Sequence, residues 1–76
     1  METNSLYIKG ILKYQNIETG FWTIVEKTGK VFRILNPDIE LYKDDLIVEA
    51  EIEIDENNMS VFMMGIPIKI IKIIID

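Results

Sequence analysis

The chain contains no cysteine and no histidine. The first absence removes disulfide staples, and the two together remove the usual zinc ligand sets. They also remove the thiol nucleophile, the imidazole general base and the triads built on them. Glycine is scarce, with 4 residues in the chain. Gly20, Gly29 and Gly65 stand far from the spacing of a phosphate-cradling loop. Positive charge is in deficit: 8 lysines and arginines against 13 acidic residues leave a formal net charge of −5. That balance disfavours a protein whose affinity comes from neutralising phosphates. The acidic clusters 44–45 and 55–58 lack the glycine and terminal glutamate of a calcium loop, and turn chemistry accounts for them. No carboxylate pair sits in an apolar run that would raise its pKa. The chain reads as a non-enzyme with no cofactor and no metal.

The N-terminus has no basic segment followed by an apolar run, so no signal peptide is expected. The isoleucine-rich C-terminal stretch is interrupted by Lys69 and Lys72 and is too short to span a bilayer. The expectation is a cytoplasmic protein without membrane contact.

What remains is a chain of 76 residues, 49% of them hydrophobic. That is one domain, 1–76, with enough apolar material for a core. A chain of this size buries only about 60% of the surface its unfolded form exposes, so the core must be well filled or the protein must self-associate.

Residues 45–54 organise the reading. Leu46, Val48, Ala50, Ile52 and Ile54 alternate with Ile47, Glu49, Glu51 and Glu53. Successive strand side chains point to opposite faces, so this is a strand with one apolar face and one mostly carboxylate face. Residues 6–14 form a first strand with Leu6, Ile8, Gly10, Leu12 and Tyr14 on the inner row. A glycine within a strand marks a bulge, a bend or close approach of another backbone, and here a bend is expected. Residues 21–26 form the second strand, with Trp22 and Ile24 inward and Phe21, Thr23 and Val25 outward. A hairpin turn at 27–30 leads to a third strand at 30–35, where Arg33 favours Phe32 and Ile34 as the inward pair. Pro37 breaks the ladder, and residues 39–44 connect onward, with room for one helical turn capped by Asp38. After a turn at 55–58, a fifth strand is expected at 59–64, a kink between Gly65 and Pro67, and a last strand at 68–75. The alternation slips between Ile70 and Ile71. One extra residue there, a β-bulge, lets Lys69 and Lys72 both reach water.

Gly10 in the first strand, Gly20-Phe21-Trp22 opening the second, Gly29 in the hairpin and residues 41–48 entering the fourth together resemble the OB-fold. Residues 60–67 look like the closing hairpin of small stand-alone OB-fold-like proteins of uncharacterised function. The resemblance implies an all-β, five- to six-stranded antiparallel OB-like Greek-key barrel. OB domains often carry glycine just before strand four, where this chain has Asp44-Asp45. The OB order also places strand four between strands one and five. Glu49, Glu51 and Glu53 would then be flanked by Lys9, Lys13, Lys69 and Lys72.

Two functional readings follow. The first is a non-catalytic module acting through protein–protein contact or self-association. It rests on the outward apolar residues Phe21, Val25, Ile11, Ile47 and Ile71, with Met59, Met63 and Met64 as an adaptable surface. The second is single-stranded nucleic-acid binding across strands two and three, led by Phe21 and Arg33 with Lys27 and Lys30.

Overall fold

The computed structural model of the chain describes residues 5–17, 20–40, 42–58 and 65–76. Five strands form: β1 (Ser5–Gln15), β2 (Phe21–Glu26), β3 (Val31–Ile34), β4 (Ile47–Ile54) and β5 (Ile66–Ile75). They close into a barrel in the order β1-β2-β3-β5-β4. β4 therefore lies between β1 and β5, as the OB order requires.

β1 is long enough to take two partners. Its first part, from Ser5 to Ile11, runs against β4, and its second, from Gly10 to Gln15, runs against β2. The exchange falls at Gly10. A Cβ there would lie 2.5 Å from the Val25 carbonyl oxygen and 2.9 Å from Ile24 Cγ2. Only a residue with no side chain lets β2 come that close while β1 turns from one neighbour to the other.

Four of the strand pairings are antiparallel. The fifth, β3 with β5, is parallel and sets Phe32, Arg33 and Ile34 against Ile66, Pro67 and Ile68. The rest of the barrel is antiparallel, as expected. Directions cannot alternate around a closed ring with an odd number of members, so one pair must run the same way.

The inner face is apolar, as the two-residue rhythm requires. Leu12, Ile24, Val48, Ile52 and Ile68 are fully buried, joined by Ile8, Phe32, Ile34, Tyr42 and Ala50. Each fully buried aliphatic of this size contributes about 1.5–3 kcal/mol relative to exposure. Phe32 and Ile34 are the inward pair of β3, leaving Arg33 outside. The expected bulge is present: Glu51 faces Lys72 and Ile52 faces Ile70, so Ile71 is the extra residue.

Several expectations are corrected. Leu6 and Tyr14 share the inner row but are 47% and 41% exposed, although β4 and β2 pair with β1 at these positions. Thr23 faces outward yet is fully buried. Lys13 and Arg33 flank it in register. Its hydroxyl donates to the Lys13 carbonyl at 2.9 Å and accepts from Gln15 Nε2 at 3.3 Å, so longer neighbours cover the short side chain. The last strand starts at Ile66 rather than 68, and Pro67 lies within it. Pro67 tolerates that place because it sits at the strand's beginning and serves as an acceptor, its carbonyl taking the Asp55 N–H at 2.9 Å. Residues 39–40 form a turn and no helix is seen among the described residues of that connector, whereas Glu56–Asn58 make one turn of 3-10 helix. Asp45 holds φ +70°, a left-handed conformation that Asp tolerates better than most residues with a side chain. The fifth strand expected at 59–64, with Met59, Met63 and Met64, lies outside the described residues.

Among the described residues, no helix is long and apolar enough to cross a membrane.

Candidate functional site

The outer face of the barrel carries a groove where β1, β2 and β4 meet. Register makes it. Ile11 is the Cα partner of Val25 on one side and of Ile47 on the other. All three are outward residues on adjacent strands, so they form one row across the sheet. Ile11 and Ile47 are 40% and 49% exposed. Gly10 beside them lines it with main chain, since its missing side chain would point inward to Ile24. The resulting hollow has a volume of about 600 Å³. Its walls bring in Lys9, Lys13 and Lys27, with Glu26 as the lone carboxylate. An apolar floor under a mostly cationic rim is thus carried by a chain of net charge −5.

The rim lysines are held differently. Lys9 faces Glu49 across the β1–β4 pair. Lys13 makes a salt bridge with Asp45, on the turn entering β4. The hydrogen bond and the charge of Asp45 push the Lys13 pKa above its ordinary value. Lys27 stands exposed on the hairpin turn. Beyond the groove, the Tyr7 hydroxyl donates to Glu49 Oε1 at 3.0 Å. That hydrogen bond to a carboxylate raises the phenol's pKa, because the carboxylate favours the protonated partner. The carboxylate row of β4 meets its lysines as the strand order suggested: Lys9 opposite Glu49, Lys72 opposite Glu51, Lys69 opposite Glu53. Yet Lys69 approaches Asp55, at 3.8 Å, and Lys13 turns to Asp45, so the closest ion pairs are with turn residues.

The residues singled out from the sequence do not form one cluster. Val25 and Lys27 line the groove. Phe21 and Arg33 form a separate platform, with the guanidinium carbon 4.2 Å from the Phe21 ring centroid. Both are half-buried. Lys30 lies 6.0 Å from the ring of Phe32, near the β2–β3 turn. Ile71 is 52% exposed at the bulge of β5, a strand that contributes nothing to the groove. Gly10, Lys9 and Lys13 belong to the groove, but sequence reasoning gave them other roles. The glycine within a strand was the visible signal, and its pairing partners were not.

A second hollow of about 280 Å³ lies against the 3-10 turn, lined by Glu53, Asp55 and Glu56 with Lys69. Among the described residues, no group of three or more acidic side chains is placed to hold a metal ion. No family model, no curated protein and no solved structure matches this chain, so the groove is interpreted on its own geometry.

Proposed function

We propose that the protein is a non-catalytic binding module that docks another protein in the Ile11–Val25–Ile47 groove. The observation that carries this reading is the groove's composition: an apolar row walled by Lys9, Lys13 and Lys27 on an otherwise acidic surface. Contiguous exposed apolar surface rimmed by polar groups is characteristic of contact sites. The fitting partner is a polypeptide segment with apolar side chains flanked by carboxylates. Lysine stems would lie along its apolar part while their ammonium groups meet its acids.

The test is selection of displayed random peptides on the immobilised protein, followed by NMR titration of a selected peptide. Enrichment of acidic, apolar sequences is expected, with shifts centred on Ile11, Val25 and Ile47. Ile47→Glu should abolish binding and Lys27→Glu should weaken it. Peptides that bind an Ile47→Glu, Val25→Glu variant as well as the parent would overturn the reading.

One observation favours a second reading, an OB-like protein that binds single-stranded nucleic acid. Arg33 stacked on Phe21 offers a planar, cationic platform for a base. Titration of labelled oligonucleotides at low salt, where electrostatics are least screened, decides it. Saturable binding that is lost in Phe21→Ala would favour it over the groove.

A further inference from the structure

Among the described residues, β5 runs on past its β3 partner and leaves an edge there. On its β3 side, β5 is covered as far as Ile70. The Ile68 carbonyl takes the Leu35 N–H at 2.8 Å. Beyond that, the Asn36 carboxamide takes both the N–H and the carbonyl of Ile70. On the opposite side, the Asp76 N–H reaches the Ile47 carbonyl at 3.0 Å. Main-chain groups alternate direction along a strand, so Lys72 and Ile74 also address β4. Ile73 and Ile75 therefore point their N–H and C=O away from β4. β3 ends before them, and among the described residues no hydrogen bond reaches these groups.

We propose that a second copy of the chain fills this edge, antiparallel, with Lys72 of each copy opposite Asp76 of the other. The proposal deepens the reading of the protein as a contact module by naming one partner, on an edge that adjoins the groove where Asp76 meets Ile47. The segment 72–76 reads Lys-Ile-Ile-Ile-Asp. Laid against its own reverse, it sets lysine against aspartate at both ends, Ile73 against Ile75, and Ile74 against itself. That register brings together the two residues whose main-chain groups no described residue bonds on this side, and each Ile73–Ile75 pair would exchange two N–H···O bonds. Lys72 and Asp76 are both exposed, and the ion pairs among the described residues, Lys13–Asp45 and Lys69–Asp55, involve neither. Ile74 is 45% exposed alone and would meet its counterpart across the two-fold axis. The bulge at Ile71 disrupts the ladder immediately before this segment, which limits the pairing to one short stretch. A two-fold contact of this kind uses the same patch on both copies, so it closes at a dimer.

Sedimentation equilibrium of the full chain tests the proposal, with amide hydrogen exchange as a second readout. A monomer–dimer equilibrium is expected, with Ile73 and Ile75 amides more protected at high than at low concentration. Lys72→Asp alone and Asp76→Lys alone should each weaken the dimer about tenfold or more, since each turns two attractions into two repulsions. The double exchange Lys72→Asp, Asp76→Lys should restore it. Both positions are exposed, so circular dichroism should show every variant folded. A chain that stays monomeric, a dimer indifferent to the single reversals, or a double exchange that fails to restore it would each overturn the register. A dimer abolished instead by Val25→Glu, on the far wall of the groove from β5, would overturn the edge contact while leaving the groove reading standing.

Discussion

The side chain of Asn36 behaves as one more residue of β3. Its Nδ2 donates to the Ile70 carbonyl at 3.1 Å and its Oδ1 accepts the Ile70 N–H at 2.8 Å, which reproduces a strand pairing with a carboxamide. The amide group has the same donor and acceptor as a peptide unit, so it extends the ladder without extending the strand.

Asn36→Ala should therefore destabilise the fold by about 1–2 kcal/mol, the usual loss for two partly exposed hydrogen bonds. Asn36→Asp should cost at least as much at neutral pH, because a carboxylate would face the Ile70 carbonyl. Urea denaturation measures the loss. Faster amide exchange at Ile70 would localise it.

Gly10→Ala and Gly29→Ala test two different uses of glycine. At Gly10 the new Cβ meets Val25 main chain at 2.5 Å, so β1 and β2 must separate. The expected cost is about 2–3 kcal/mol, as for overpacking against backbone. At Gly29 the Cβ enters open space, but φ is +93°, so only conformational strain of about 1 kcal/mol is expected. Thermal denaturation of the two variants should rank them in that order.

Thr23→Val keeps shape and removes the hydroxyl that bonds the Lys13 carbonyl and receives Gln15 Nε2. The site is fully buried, so water does not replace the lost partner. About 1–3 kcal/mol should be lost, with Thr23→Ser recovering part of it.

Stability should fall on the alkaline side. Burial raises the Tyr42 pKa above its ordinary 10.0, opposed in part by a hydrogen bond from the Asp38 main chain. A phenol whose folded pKa is raised stabilises the fold fully below its unfolded pKa, and that contribution is lost as pH rises towards the folded value. Tyr7 and Lys13 are raised as well and act in the same direction. Urea midpoints should thus be steady up to about pH 9 and decline above pH 10, and Tyr42→Phe should make the decline shallower.

Much of the architecture was legible from residue rhythm. Val48 and Ile52 had to face inward because the glutamates between them could not. Arg33 settled the face of β3 for the same reason. Lys69 and Lys72, three apart yet both needing water, located the bulge at Ile71. Interactions across the sheet were not legible. Thr23 reads as an outward polar residue, and its burial depends on Lys13 and Arg33 arriving beside it. Asn36 reads as a strand breaker next to Pro37, and its ladder role needs Ile70 from the other half of the chain. The groove is the clearest case: Ile11, Val25 and Ile47 each read as a single exposed aliphatic, and only pairing register makes them one row.

The parallel seam between β3 and β5 sets the order of assembly. β2 and β3 meet through a tight turn, but the seam joins Phe32 to Ile66, residues from opposite halves of the chain. Closing so long a loop costs chain entropy before any contact offsets it, and a three-residue pairing extended by Leu35 and the Asn36 side chain offsets little. The ring should therefore shut last during folding and part first during unfolding, opening along this line while the β1–β2–β3 meander stays intact.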